Sequence, residues 1–219
     1  MIDTIHLLYQ IKDMVEYEML KKTLNRLRIS SSYKRYDRLY YKAHLRNLEL
    51  GLSPQALKIR GSLPKFYLGN NIQTLTPEQI KWSLFQLSDL LQINVFSAEV
   101  RRIDIAHCFF LGRPVAHYLD CLEETPEFRK YYRVAAQTKS FIKENYSIVF
   151  YDKKEEAKKD DERISPQYSS SNILRVELQL RKRLAAELQF EEIQAVRLLA
   201  RGFLAKLVER WYPTDGAHS

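Results

Sequence analysis

The sequence predicts an α+β fold: a mainly antiparallel sheet with helices packed on one face. Three observations lead there. Two segments alternate with period two, Ala98–Phe110 and Ile173–Leu180. A capped amphipathic helix begins at Thr76, and a second apolar repeat at helical spacing runs through residues 187–211. Strand-like segments recur along the chain without the βαβ rhythm of a parallel sheet.

The elements follow in order. Residues 1–9, MIDTIHLLY, read as an opening strand rich in β-forming residues. Residues 17–28 suit a helix, with Met19, Leu20, Leu24 and Leu27 near helical spacing. Residues 56–71 read as strand, turn, strand, broken at Gly61 and Pro64 and closed by Gly69-Asn70-Asn71. Thr76-Pro77-Glu78-Gln79 is a capping box with proline at the first helical position, followed by Ile80, Leu84, Leu87 and Leu91.

In the strand over residues 98–110, alternation puts Val100, Arg102, Asp104, Ala106 and Cys108 on one face. Arg101, Ile103, Ile105, His107 and Phe109 take the other. Residues 145–153 form a strand. A charged run over 152–162 then reads as a short helix or loop, and residues 165–172 as a linker. In residues 173–180, Leu174, Val176, Leu178 and Leu180 face a core, while Arg175, Glu177 and Gln179 face away. Ile193, Val196, Ala200, Phe203, Leu207 and Trp211 mark a long closing helix. No internal repeat is visible, so residues 1–212 are expected to form a single domain and 213–219 a short tail.

Composition narrows the function. The chain has 219 residues, with 45% hydrophobic and 28% charged, which suits a globular domain with a sizeable core. No apolar run reaches the roughly 18 residues of a membrane span, and the opening segment lacks the pattern of a secretory signal. Cys108 and Cys121 make no CxxC pair, so a reducing cytoplasm is expected. The net charge is +8, and residues 12–60 hold twelve Lys/Arg against five Asp/Glu. Such a field attracts a polyanion. Tyr33, Tyr36, Tyr40 and Tyr41 lie among Lys34, Arg35 and Arg38, so cations can hold phosphates while aromatic rings stack on unpaired bases. A solvated amphipathic face would have the same composition.

Several side chains could do chemistry. Asp104 lies within an apolar strand, where a carboxylate must be paired or bind a cation. A salt bridge to Arg102 is the structural alternative. Glu177, between Arg175 and Gln179, is in the same situation. Two carboxylates on one open surface would suit Mg²⁺ or Mn²⁺. His6 and His107 are candidates for a third ligand, although regular strand geometry turns His107 away from Asp104. Tyr151 is a candidate nucleophile, with Lys153 and Lys154 at offsets that can assist the phenol. Tyr146, Tyr131 and Tyr132 compete with it.

Five blocks, in order, resemble the replication initiators of filamentous phages, the gene II protein family, and their plasmid relatives. They are Met1-Ile2-Asp3, then Leu68-Gly69-Asn70-Asn71, then Val100-Arg101-Arg102-Ile103-Asp104. Residues 146–154, YSIVFYDKK, follow. Last come residues 174–181, LRVELQLR, with Lys182-Arg183-Leu184 and an aliphatic helix. The resemblance runs from residue 1 to about 211. It implies nicking of duplex DNA at a replication origin through a 5′-phosphotyrosine, followed by rejoining of the displaced strand. By position it puts the nucleophile on Tyr151 and the acidic positions on Asp104 and Glu177. The two-histidine motif of the distantly similar HUH-type endonucleases is absent. The phage proteins continue beyond this length, so a short member or a piece of a longer protein is expected.

These readings combine into one expectation: a metal-dependent DNA strand transferase that initiates rolling-circle replication of a phage or plasmid in a bacterial cytoplasm. Tyr151 attacks, and a divalent ion on Asp104 and Glu177 polarises the phosphate. Lys153 or Lys154 stabilises developing charge. Lys34, Arg35, Arg38, Lys58, Arg60, Lys65, Arg101 and Arg102 position the DNA backbone. Host replication proteins are candidate partners. The rivals are a non-catalytic origin- or operator-binding protein, an RNA-binding protein and an interaction domain with incidental charge.

Overall fold

The computed structural model describes residues 1–211 except 36–37, 124–129, 135–136, 161 and 181–183; for 35, 38, 130–134, 210 and 211 it describes the backbone alone. The side chains of Arg35, Arg38, Tyr131 and Tyr132, and the tail 213–219, therefore lie outside the described residues.

Among the described residues, ten strands form one sheet, antiparallel at every pairing. In chain order they are β1 (Ile2–Gln10), β2 (Ile29–Arg35), β3 (Arg38–Leu45), β4 (Leu48–Leu52), β5 (Ala56–Ser62), β6 (Glu99–Leu111), β7 (Lys130–Val134), β8 (Thr138–Ile142), β9 (Tyr146–Asp152) and β10 (Asn172–Leu180). The helices are α1 (Met14–Arg26), α2 (Leu63–Leu68), α3 (Pro77–Leu91), α4 (Val115–Asp120), α5 (Lys153–Lys159), α6 (Leu184–Glu187) and α7 (Arg201–Trp211). The spatial order β2-β3-β4-β5-β1-β6-β10-β9-β8-β7 bears out the α+β expectation.

The order also exposes a repeat that was not visible in the sequence. Each half is a strand, a helix, and a four-strand meander whose last strand returns beside the first. β5 pairs with β1, β10 pairs with β6, and the halves join where β1 meets β6. Only a short echo survives in sequence: Ile2-Asp3-Thr4-Ile5-His6 against Ile103-Asp104-Ile105-Ala106-His107.

One face of the sheet holds the core. Ile5, Leu7, Ile59, Ile103, Ile105, Leu178 and Leu180 pack there with Leu20 and Leu24 of α1, Leu84 and Leu87 of α3, and Phe203 and Leu207 of α7. Each such side chain contributes about 1.5–3 kcal/mol by leaving water. The Thr76 capping box forms as expected, with the Gln79 amide N–H donating to Thr76 Oγ1 and Thr76 N–H to Gln79 Oε1. α1 starts at Asp13, whose carboxylate accepts from Glu16 N–H, and Glu16 in turn accepts from Tyr9 Oη–H at 2.6 Å.

Three local expectations change. The second strand expected in residues 56–71 is helix α2, because Ser62 caps it and Pro64 favours its first turn. The closing helix is interrupted. Gln189 takes φ 59°, ending α6, and residues 193–194 then lie against the start of β6, with Val100 N–H donating to Ile193 O, before a 3-10 turn at Ala195–Leu199. Period two also fails in β6. A register shift between His6 and Leu7 brings Val100 into the core and puts exposed Arg101 beside His6, Lys58 and Arg60.

Candidate active site and nucleic-acid face

Register decides which side chains share the second face of the sheet. Across β6–β10, Asp104 stands opposite Gln179, Ala106 opposite Glu177 and Cys108 opposite Arg175. Across β10–β9, Arg175 stands opposite Tyr151. Asp104, Glu177, Arg175 and Tyr151 therefore project from the face opposite Ile103, Ile105, Leu178 and Leu180. Asp3 joins them from β1. The ladder shifts between Ile2 and Ile5, both core residues, and Asp3 turns to the other side. There its carboxylate meets Arg175 Nη2 at 2.8 Å.

Local backbone holds this contact. Gly61 takes φ +146° so close to the preceding strand that a Cβ would meet Leu48 Cδ2 at 2.8 Å. The next residue, Ser62, donates its hydroxyl to Asp3 Oδ1 at 2.7 Å. Arg175 is 2% exposed; it also donates to the Asn71 carbonyl, while its Nε–H has no acceptor among the described residues. Asp104 is 2% exposed and takes a two-pronged contact from Arg102, at 2.7 Å to Oδ1 and 2.6 Å to Oδ2. The anticipated ion pair thus exists. Glu177 accepts from Gln179 Nε2 at 3.1 Å.

The electrostatics follow from burial and charge count. Burial pushes the Asp3 carboxyl up, but Arg175 and the Ser62 hydroxyl outweigh it, and its pKa falls below the usual range. For Glu177, burial and then the Asp3 charge win over Arg175, and its pKa rises to about 7. Burial also pushes the Tyr151 phenol well above its ordinary value; Arg175 is the cation that pulls it back. Burial, Arg102 and Arg60 lower the His6 imidazole to about 4, so it is neutral at pH 7.

Among the described residues, three carboxylates thus stand near two guanidiniums, Arg102 and Arg175. Hard oxygen donors of this kind fit Mg²⁺ or Mn²⁺, which need only one or two protein carboxylates when water and phosphate complete the shell. Among the described residues, no three His, Cys, Asp or Glu side chains stand together as a preformed cage. Of the two histidines, His6 pairs with Arg102 and shares the Asp104 face. His107 pairs with Val176 on the opposite side, edge-on to Phe109 at 4.8 Å.

The lysines after Tyr151 have other engagements. Asp152 ends β9 and caps α5 by accepting from Lys154 N–H and Glu155 N–H. Lys153 is 2% exposed, and its amine contacts Glu156 and, at 3.5 Å, Glu162. Lys154 donates to the Ser169 carbonyl. Lys65 of α2 also binds Glu162. Here a cleft of about 610 Å³ opens beside Asn71, bearing Arg46, Lys65, Lys153 and Arg163 against Glu162.

Of the remaining cations, Lys58, Arg60 and Arg101 border a hollow on the same face that extends over the first half of the sheet. Lys58 and Arg60 line both a concavity of about 290 Å³ with Tyr33, Tyr40 and Lys42, and one of about 320 Å³ with His6 and Arg101. Arg60 lies 3.9 Å from Glu49, and Arg101 lies 2.7 Å from Glu99. Lys34 is exposed and pairs with Leu39, on the side of the hairpin away from Tyr33 and Tyr40. Tyr41 is buried in the core.

Two central residues were not anticipated as site residues. Asp3 was read only as part of an opening block, and Arg175 only as a partner for Glu177. The repeated Ile-Asp-x-x-His pentad is the signal that could have found Asp3. Nothing local in the sequence ties Arg175 to residue 3.

A search of curated proteins found no match. A family model for the N-terminal part of the replication-associated gene II protein matches residues 1–200. The matched stretch takes in β1 through β10 and every residue of the acidic cluster, so the chain belongs to the filamentous-phage gene II family of replication-associated proteins.

Proposed function

We propose that the chain nicks and rejoins one DNA strand at a replication origin through a phosphotyrosine on Tyr151, with Mg²⁺ or Mn²⁺ held by Asp104 and Glu177. One observation carries the reading: Tyr151, Arg175, Glu177 and Asp104 share one face of three adjacent strands, beside a basic hollow. Tyr151 Oη attacks the scissile phosphorus, the bond to the 3′ oxygen breaks, and the proton lost by the phenol ends on the departing 3′ oxygen, which leaves as a hydroxyl. Retaining the phosphodiester energy in the tyrosyl ester lets the reverse attack reseal the strand without ATP. Arg175 stands at the position paired with Tyr151, where its positive charge opposes the rise of the phenol's pKa. A bound divalent ion would supply Lewis-acid polarisation of that phosphate. Lys65 and Lys153, at the adjoining cleft, would hold the flanking backbone once phosphate displaces Glu162. The products are a 5′-phosphotyrosine, which keeps the strand end for rejoining, and a free 3′ hydroxyl, which can prime rolling-circle synthesis.

The test is adduct formation on an origin-bearing single strand with Mn²⁺, trapped in denaturant and mapped by peptide mass. The wild-type chain should carry DNA on the peptide containing Tyr151, and Tyr151→Phe should carry none. An adduct on another tyrosine would move the nucleophile. Binding with no nicking and no adduct would support the rival reading, a non-catalytic origin-binding protein. That rival draws on the burial of Tyr151 and on the closed Arg102–Asp104 pair.

A further inference from the structure

The hollow over the first half of the sheet has a chemistry of its own. Tyr33 of β2 and Tyr40 of β3 stack, with ring centroids 5.3 Å apart and planes 10° from parallel. They occupy directly paired positions. Tyr33 is 46% exposed although it is a large aromatic, so the stack is open to solvent rather than absorbed by the core. Lys42 lies over the Tyr33 ring at 6.0 Å. Gly51 stands between Lys42 and Lys58 in the ladder and leaves the floor without a side chain. Lys58 and Arg60 form the far wall, and both continue into the concavity that reaches Arg101 and His6. Stacked rings beside a row of cations suit a base plus its phosphates, and only an unpaired base exposes its face to such a wall.

We infer that the Tyr33–Tyr40 stack with Lys42, Lys58 and Arg60 is a subsite for unpaired bases of single-stranded DNA, apart from the cutting centre. From β3 to β6 there are four strand spacings, roughly 19 Å. The subsite therefore grips a strand a few nucleotides away from Asp104. The inference rests on the reading that this face carries DNA, but it concerns binding alone and can fail or stand without the nicking chemistry.

The experiment measures binding of the full chain to fluorescent dT oligonucleotides in EDTA, so that nothing is cut. Three competitors are used: an abasic strand of equal length, a duplex and the matching rU strand. Wild type should prefer dT to the abasic strand. The double variant Tyr33→Ala/Tyr40→Ala should bind dT about 5- to 150-fold more weakly, the range for losing one stacked base. It should lose its preference over the abasic strand and hold duplex as before. Tyr33→Phe/Tyr40→Phe should restore the preference, because the rings remain. Equal weakening toward dT, abasic strand and duplex would overturn the subsite, as would an unchanged preference in the alanine variant. Tighter capture of rU than dT would overturn the assignment to DNA.

Discussion

Replacing Glu177 with glutamine removes a buried carboxylate charge and little else. Glu177 is 8% exposed, and its pKa stands at about 7 against an ordinary 4.5. A raised carboxyl means that the folded chain keeps a proton the unfolded chain has lost. For this group, stability therefore falls as pH rises from about 4.5 and levels off above about 7. At about 1.4 kcal/mol per pKa unit, the rise from 4.5 to about 7 corresponds to a penalty on the order of 3 kcal/mol at pH 8. Glutamine has no charge to desolvate and can still bond to Gln179. In EDTA, Glu177→Gln should match wild type near pH 4.5 and exceed it by about 3 kcal/mol at pH 8. For a chain of this size that is roughly 6–12 °C in Tm. Thermal and urea unfolding at both pH values provide the assay. Mn²⁺ should then raise the Tm of wild type at pH 8 and leave the variant unmoved. A variant less stable than wild type at pH 8 in EDTA would refute the reasoning, since Glu177 would then be a satisfied structural acceptor.

The other predictions use the same cluster and the hollow. Arg175→Met strands the Asp3 carboxylate in the interior and should cost about 3–5 kcal/mol in urea unfolding; adding Asp3→Asn should recover more than half of the loss, and no recovery would break the proposed pairing logic. Asp104→Asn should weaken Mn²⁺ binding by calorimetry at least tenfold and abolish nicking while single-strand binding persists. Unaltered metal affinity would place the ion elsewhere. Lys58→Ala/Arg60→Ala/Arg101→Ala should flatten the dependence of log affinity on log salt by about 2 for single strands. A slope identical to wild type would take the DNA off this face.

The parts of the fold that were legible in sequence are those fixed by local chemistry. The Thr76 box, the alternation in β10 and the apolar spacing of α3 each depend on neighbours within a turn or a strand. Other features depend on distant partners. The bulge that sends Val100 inward is set by pairing with Leu7, and the break after Gln189 by residues 193–194 lying along β6. The site divides the same way. Asp104 and Glu177 stood out as carboxylates in apolar strands, and their shared face follows from the adjacency of β6 and β10. Asp3 and Arg175 are 172 positions apart in sequence and became visible as a pair only through their contact. Period two assigned Arg175 and Glu177 to the polar side, yet both are more buried than Leu174 and Val176 on the apolar side. Residues 70–73 and 162–168 fold over that end of the polar face, burying Ile72, Cys108 and Ile173 with Ile164 and Tyr168.

The seam between β1 and β6 would divide the labour of the proposed function between the two halves of the sheet. Tyr33, Tyr40, Lys42, Lys58 and Arg60 all belong to the first half of the sheet, and Tyr151, Arg175, Glu177 and Asp104 all belong to the second. Among the described residues, the β1–β6 ladder is the only strand pairing between the halves, and Asp3 is the one carboxylate of the acidic cluster that reaches across it. On the proposed reading, the base-stacking surface can therefore drift in sequence without disturbing the groups assigned to cutting. A chimera exchanging residues 29–60 between relatives would transplant strand preference while leaving the chemistry to its host, provided that residue 3 stays aspartate.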